Sequence, residues 1–595
     1  MTEVVSISAL RSTLPNDPTQ TGEVVYVKYH TYPWDMGGGM FMWRNDNPAL
    51  MDISSYYSND NDGTLIHVLE ENPQNPNGPK IINQQGRWVR QYSDYINLAY
   101  FGGCKDQYAT EALQAAIDFA WYNVTDKNTP PTRGAAVLIP GGGYIINEIT
   151  LRYGVKLMGH SIDRPVITAA IPGDPGYDFG TGYLFNIPEG VVQIEISNLN
   201  ITGNRSTNTD EIYSEKGVFH FKAQPENNDV NTQAGLWQSK FSNIKITGFN
   251  GTAIYSEGGA NQYLQPNQFI IFELIHIELS NHARPDSSAL KMTGQNGQIT
   301  FINASFNGYH NNKGEYHVGH VVDIGPFNSG NEGNIFPSTV SFINSTFQEA
   351  DYGVVIREAD NITFDNCWFE RLGVSIHVNG IKKECSSINV LNSRFLDASG
   401  YGGAPASSPN LYDKGVCIHA INTRMTIANN YAAVSRLDDE RILTDYFIIN
   451  EGKTVTDKKG NEIKLLVPGL EVYGNSFQDS SKLNRNFGIA LVVTSVVDKS
   501  VECKYNKFLL VNSPNNPEIN IVNINSSLVE SEILTLRASG GSITFNNEGN
   551  IYLTNRASLT LQEGQVATFT KIGSDGILNQ QYKYQLTSLV TDTTP

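Results

Sequence analysis

The stretch SFINSTFQEADYGVVIREADNITFDNCWFER (Ser341–Arg371) states one six-residue phrase twice, as Phe342-INST-Phe347 and Phe364-DNCW-Phe369. The phrase is an apolar residue, any residue, Asn, an apolar or small residue, any residue and a second apolar residue. Its two statements begin 22 residues apart. It recurs as Ile196-SNLN-Ile201, Phe241-SNIK-Ile246, Phe301-INAS-Phe306 and Val390-LNSR-Phe395, and in degenerate form as Phe272-ELIH-Ile277, Val472-YGNS-Phe477 and Cys503-KYNK-Phe508. A strand-like repeat with a period in the low twenties predicts a solenoid, in which each turn of chain buries its apolar face on the next. Asn198, Asn243, Asn303, Asn344, Asn366 and Asn392 all stand third in the phrase. Asn and Gly tolerate the left-handed backbone conformation, so each repeat is expected to bend there and to stack its amide on the next.

A second column emerges when the segments after each bend are aligned on a small residue: Gly217, Gly251, Ser288, Gly319, Gly353, Gly373, Gly415 and Gly488. The third residue onward is apolar in each copy except at His220, which predicts an inward position. The fourth then points outward and reads Phe221, Tyr255, Lys291, Asp323, Arg357, His377, His419 and Val492. This predicts an exposed strip of aromatic, charged and imidazole side chains.

Working outward, the composition agrees with stacked strands. Charged residues make up only 17% of the 595 residues, against roughly 25% for an average soluble domain, while Asn, Ser, Thr and Gly fill the polar positions. Forty-two Lys and Arg against 60 Asp and Glu give a net charge of −18, and no basic run offers a nucleic-acid surface. The apolar stretch Gly488–Val497 is about half the length of a membrane span, so no membrane insertion is expected. MTEVVSISALRSTLP has neither the basic nor the apolar part of a signal peptide. Five scattered cysteines, Cys104, Cys367, Cys385, Cys417 and Cys503, fit buried free thiols rather than a disulfide framework. One helix is predicted: from Thr110 as N-cap, Leu113, Ala116, Ile117, Ala120 and Trp121 fall on one face.

The leading segment, Tyr100-FGGCKDQYATEALQAAIDFA with Ala136-VLIPGGGYIINEITLRYGVKLMGH, resembles the pectate-lyase-like family in its phage tailspike branch. Phe101-Gly102, the helix from Thr110, Ile139-Pro140-Gly141 and Tyr144 carry the resemblance; Lys105-Asp106-Gln107 replaces the usual Gly-Asp-Gly turn. The resemblance covers roughly residues 99 to 510 and implies an all-β fold, a right-handed single-stranded parallel β-helix. Three parts are expected. Residues 1–98, with Gly37–Trp43 and Gly86-Arg87-Trp88, are similar to the small β-domain that precedes such helices in capsule depolymerases and implies attachment to a phage tail or baseplate. Residues 99–510 form the β-helix with a capping helix near 110–122, and residues 511–595 form a C-terminal β cap that covers the open end. The resemblance further implies a homotrimer formed through that cap, a virion protein made in the host cytoplasm, and a bacterial surface polysaccharide as partner.

Glycosidic hydrolysis needs two carboxyls about 5–5.5 Å apart for retention or about 6.5–9.5 Å for inversion. The densest acidic stretch holds Glu349, Asp351, Glu358, Asp360, Asp365 and Glu370. Counted from the start of each phrase, Glu349 and Glu370 are expected on one turn of adjacent rungs, close enough for repulsion to split their acidities. They are the first catalytic candidates, with Asp351 and Asp323 beside them. Arg371 and Asp397 share Glu349's offset on the next two rungs. Together with Tyr255, Lys291, Arg357, His377 and His419 they are the candidate substrate-binding groups. Trp237 is a further stacking candidate. The alternatives are β-elimination at a uronic acid, with His377, Lys291 or Arg357 as base, and binding without catalysis. His310, His317 and His320 with Glu315 lack helical metal spacing; no metal or cofactor is expected. No Gly-x-Ser-x-Gly elbow is present. The long inserts Ala398–Lys414 and Ala433–Pro468 are expected to wall a groove or reach a neighbouring subunit.

Overall fold

A computed structural model describes residues 2–45, 64–70, 81–92, 95–122, 136–175, 177, 182–188, 190–206, 211–223, 235–259, 266–280, 283–284, 286–308, 319–326, 335–380, 384–396 and 416–433. Beyond these it describes 446–451, 454–456, 462–464, 470–473, 475–477, 490–494, 496–497, 500–504, 508–512, 518–521, 523–526, 533–539, 542–548, 551–553, 556–562, 565–572 and 584–590. The chain forms two compact units, Met1–Gly259 with Tyr263–Ala283, and Ala260–Gln262 with Arg284–Pro595.

The first unit begins with a five-stranded sheet. Thr2–Ser6 runs parallel to Val24–Tyr29, which pairs antiparallel with Gly39–Arg44, and that strand antiparallel with Ile81–Arg90, with Leu65–Glu70 at the edge. Val25, Val27, Phe41 and Trp43 alternate inward and pack with Trp88, Ile66 and the short helix Ile7–Leu10. The Trp43 and Trp88 rings meet edge to face at 5.2 Å, and each indole N–H reaches a backbone carbonyl, Pro18 and Thr13, which satisfies the only polar atom those side chains bury.

The β-helix rungs of this unit follow. Glu195–Thr202 pairs parallel with Trp237–Thr247, which pairs with Asn267–Glu278. Tyr183–Ile187 pairs with Gly217–Lys222 and that with Ile254–Glu257. The predicted helix spans Thr110–Tyr122. Leu113, Ala116, Ile117 and Ala120 are fully buried, and Trp121 is half-exposed beneath the Arg152 guanidinium. The Thr110 hydroxyl does not cap it; the hydroxyl accepts the Asn147 N–H at 2.9 Å, and Leu113 N–H closes the first turn on Ala109.

In the second unit Asn296–Ile302, Ser338–Ile343, Asp360–Asp365, Cys385–Leu391 and Thr423–Ala428 pair in parallel one after another. Beside them, Ser305–Asn307 and His320–Gly325 pair with Thr346–Arg357, that strand with Trp368–Asn379, and the last with Val416–Ile421. Two phenylalanine columns fill the core. Phe301, Phe342 and Phe364 stack at 5.0 and 5.2 Å; Phe306, Phe347, Phe369 and Phe395 stack at 5.4, 4.8 and 4.7 Å. After the last parallel rungs, pairing turns antiparallel, with Ile533–Ser539 against Val566–Lys571 and Tyr584–Val590 beyond. The expected parallel β-helix is thus borne out. Cys104, Cys367, Cys385 and Cys417 are buried free thiols.

All six phrase asparagines lie in the left-handed region, with φ between 50° and 60°. Asn243 donates to Asn198 at 2.8 Å and Asn366 to Asn344 at 2.6 Å, while Asn392 turns to the Asp365 carboxylate at 2.8 Å. A seventh bend at Asn429, φ 57°, lies in Ile427-ANNY-Ala432. There Ala432 replaces the closing Phe opposite Phe395, which hides the phrase from an apolar-size criterion. Replacing Asn366 by Val is expected to destabilise the protein by about 2 kcal/mol, because a β-branched residue adds its own left-handed penalty to the lost amide contact. Asn366→Gly is expected to lose about half as much. Denaturant midpoints of the two variants check the order.

Candidate functional site

Hydrogen-bond register corrects the outward strip. Asp323 lies opposite Lys291 on one side and Val355 on the other, and Val355 opposite His377, which faces His419. The column of the second unit therefore reads Lys291, Asp323, Val355, His377, His419. Arg357 stands two residues further along its strand, because Gly353 is opposite Ser375 and not Gly373 as the small-residue alignment assumes. In the first unit the alignment slips by one. His220 lies opposite Tyr255, and Phe221 points into the core, 1% exposed. That slip accounts for His220 as the apparent exception at the inward position. Nor is the strip open to solvent: Asp323 is 4% exposed and His419 2%.

Arg357 reaches back to Asp323 and donates a hydrogen bond from Nη2 to Oδ1. His320 Nε2 lies 3.4 Å from the other carboxylate oxygen. Burial opposes the Asp323 charge, but His320 and the guanidinium outweigh it and hold the carboxyl down at about 2. Asp351 is placed oppositely. It immediately precedes Tyr352, whose N–H bonds Gly319 O and which pairs with His320. Burial pushes its carboxyl up to about 6, with His320 as the one opposing charge. A permanently ionised carboxylate and a carboxyl poised near 6 thus both interact with one imidazole. Separated acidities of this kind supply an acid and an anion to the same reaction.

His377 is half-buried, with its ring stacked on His419 at 4.9 Å and Nδ1 to Nδ1 at 2.9 Å. Burial, then His419 and Arg357, push His377 down to about 3, so it is neutral at neutral pH. Tyr352 lies against its other side, ring centroids 5.4 Å apart.

Glu349 and Glu370 do not form the expected column. Glu370 lies opposite Gln348, accepts its amide at 2.7 Å and accepts the Trp368 indole N–H at 3.1 Å. Glu349 occupies a left-handed bend, φ 62°, and its counterpart one rung on is Arg371, φ 54°. Arg371 donates to Glu349 at 3.0 Å and lies 3.7 Å from Glu370, so a guanidinium stands between the two carboxylates and screens them from each other. The offsets differ by one because the bend residue leaves the strand's alternation.

Tyr255 belongs to the first unit, stacked parallel on His220 at 5.1 Å, with Tyr183 on the other face of the imidazole and Glu257 bonded to His220 Nε2 at 2.7 Å. Trp237 donates its indole N–H to Pro266 O and meets Phe269 edge to face. Val492 pairs with Asn450, one place off the column that runs from His419 through Ile449 to Leu491; Asp397, His310, His317, Glu315 and most of both long inserts lie outside the described residues. Among the described residues no cluster of three or more His, Cys, Asp or Glu is arranged to hold a metal ion. The acid–anion group was legible only in part: Asp351 falls in the densest acidic stretch and Asp323 in the expected outward strip, but His320 draws notice only as a possible ligand. Its i, i+3 spacing to Asp323 in a strand start is the signal that identifies it.

Residues 3–93 match the family described as phage tail protein small four-stranded beta-sheet domain, in agreement with the expected likeness of the N-terminal part. No curated protein matches the sequence. Among solved structures the chain is similar to tailspike protein gp49 of Acinetobacter baumannii bacteriophage Fri1, a capsular polysaccharide depolymerase, with 14% identity, TM-score 0.49, and 82% of this chain and 76% of that one covered. It is similar to the enzymatically active domain of bacteriophage CBA120 tailspike protein 2, with 14% identity, TM-score 0.50, and 83% of this chain but only 57% of that one covered. A third, PfbA, a surface adhesin of Streptococcus pneumoniae, has 13% identity, TM-score 0.43, and 83% and 98% covered. The likeness is one of fold.

Proposed function

We propose that the chain is a phage tailspike depolymerase that hydrolyses glycosidic bonds of a bacterial capsular or other surface polysaccharide, with Asp351 as general acid and Asp323 as the ionised carboxylate facing the developing positive charge. The observation that carries this reading is the pair of carboxyls pushed apart to about 6 and about 2 around His320. A proton donor near the working pH beside a fixed anion is what an oxocarbenium-like transition state requires. Glu349, Glu370 and Arg371 form a positioning network on the adjoining bend, and Lys291, Arg357, His377 and His419 of the second unit bind substrate, with Asp397 as a further binding group; Tyr255 is a separate candidate sugar contact of the first unit. Residues 1–98, matched over 3–93 by the phage tail domain, attach the protein to the tail; residues 99–510 bind and cleave; residues 511–595 hold three copies together. The working protein is a virion component.

Hydrolysis is favoured over β-elimination by the state of two of the candidate bases, His377 and Arg357. His377 at about 3 is a poor proton acceptor, and Arg357 and Arg371 are engaged with Asp323 and Glu349. A uronate carboxylate, which elimination needs neutralised, would have to displace those partners. Incubation with a panel of purified capsular polysaccharides is expected to release oligosaccharides with new reducing ends and no unsaturated-sugar absorbance. Unsaturated products would establish elimination, and binding without shortening would establish an adhesin. Within this reading Glu349→Gln and Glu370→Gln are each expected to lower kcat by less than about tenfold, since they act through Arg371 and not on the bond. A loss as large as that of an acid variant, about 10²–10⁴-fold, would return the catalytic role to them.

A further inference from the structure

The fifth place of the repeated phrase points outward, between two inward apolar neighbours. In the second unit, register orders its members as Ser305, Thr346, Trp368, Arg394, Tyr431 and Ser476. Small hydroxyl residues therefore flank three large side chains on consecutive rungs, which span about 10 Å at the strand spacing. The middle one is the exposed Arg394. Its guanidinium lies over the Trp368 ring, 5.7 Å from the centroid, and over the Tyr431 ring at 5.8 Å.

The neighbouring column holds this group in place. The Trp368 indole N–H donates to Glu370 Oε2 at 3.1 Å, and the same oxygen accepts the Gln348 amide at 2.7 Å. Arg371 lies 3.7 Å from the other oxygen of that carboxylate. Asp365, on the preceding turn of chain, accepts the Asn392 amide at 2.8 Å. Among the described residues no carboxylate pairs with Arg394. The fold does not require a cation between two rings at this place, since Ser305 and Thr346 fill it on the rungs before.

Rings above and below a guanidinium leave its N–H edge free, a planar fork of donors that matches a carboxylate in two parallel hydrogen bonds. The rings themselves offer flat apolar surfaces with a polar handle, suited to the C–H faces of a pyranose. The chain as a whole carries −18 and repels a polyanion, so an acidic glycan is held where a local cation lacks a carboxylate of its own. We propose that Trp368, Arg394 and Tyr431 form a binding site for a uronate residue, with the guanidinium on its carboxylate and the rings on its sugar faces. The site rests on the surface-polysaccharide reading above and does not depend on cleavage. The bends at Glu349 and Arg371 separate it along the chain from Asp351 and His377.

The panel of purified capsular polysaccharides serves as the probe. Each uronate-bearing member is offered in its native form and after reduction of its carboxyls to primary alcohols. Binding of the full chain to the immobilised polysaccharides is read in the cold, beside cleavage of the same material. At least one uronate-bearing member is expected to be bound, and its reduced form to bind at least about tenfold more weakly. Arg394→Gln is expected to lose at least about tenfold on the native form and less than about twofold on the reduced form. Arg394→Lys keeps the charge and gives up the fork, and is expected to fall between. Trp368→Ala is expected to weaken both forms alike, because a ring stacks on the sugar and not on its charge. Arg394 is exposed, so its variants are expected to melt with the wild type, which separates lost recognition from a lost fold. Equal binding of native and reduced forms, or unchanged binding by Arg394→Gln, would overturn the proposal. So would binding of neutral or phosphate-bearing members only, or of none. Binding that depends on Arg394 without shortening of the polysaccharide would support the site and remove the hydrolase reading.

Discussion

Asp351→Asn is expected to lower kcat on the polysaccharide by about 10³-fold, with KM little changed, because the substitution removes a proton donor and keeps the side chain's shape. The wild-type pH profile carries the sign. As the proposed acid, Asp351 works protonated and is held at about 6, so activity is expected to fall as pH rises through about 6. Asp323 is active when ionised and is held at about 2, below the range in which activity is measured, so no acidic limb is expected above about pH 4. One descending limb, absent in the variant's residual activity, is the signature.

Stability is expected to move the other way. A carboxyl raised above its unfolded value of 3.8 binds its proton more tightly in the folded state. The native state therefore loses stability as pH rises from about 4 through 6, when the unfolded chain has already released that proton. Asparagine cannot ionise, so Asp351→Asn is expected to melt at a higher temperature than the wild type at pH 7. Lower activity together with higher stability separates a catalytic role from a structural one. Retention of more than a tenth of the activity would remove Asp351 from the mechanism.

Phe342→Ala is expected to have the largest effect on stability, a loss of about 4–5 kcal/mol, near the top of the range for a buried aromatic. Phe342 is fully buried, stacks on Phe301 at 5.0 Å and on Phe364 at 5.2 Å, and meets Phe306 and Phe347 edge to face. The cavity lies between rungs that are fixed by parallel pairing on both sides, so the walls cannot close on it. Each lost ring contact adds about 0.5–1.5 kcal/mol beyond the buried area. Phe395 is the comparison. It stacks on Phe369 at 4.7 Å, but the next rung offers Ala432. Phe395→Ala is therefore expected to lose about 3 kcal/mol. Equilibrium denaturation of both variants checks the difference, and equal losses would show that column position is immaterial.

The residues that specify the fold were legible because each acts through its own backbone or its own period. Asn344 and Asn366 bend the chain by local preference, and Phe342 and Phe364 recur at the repeat length, so both features survive without knowledge of partners. The helix from Thr110 was legible in the same way, through its apolar face. Its cap was not, since the Thr110 hydroxyl is taken by Asn147 from a distant segment. Leu274 holds the third place of the degenerate phrase Phe272-ELIH-Ile277, and its exposure was invisible until its neighbours were placed.

The sequence by itself determined a β solenoid with phenylalanine columns, asparagine bends and an acidic stretch over residues 349–370. Tertiary structure alone decided which charged groups meet. Rungs of unequal length and bend residues outside the strand alternation shift the offset between neighbours by one or two positions. Hydrogen bonding between strands fixes that shift. One position places Arg371 between Glu349 and Glu370, and two positions turn Arg357 back onto Asp323. Partners then divide Asp351 from Asp323: burial raises both carboxyls, and only at Asp323 do Arg357 and His320 outweigh it, a difference of environment that two aspartates in a linear chain cannot display.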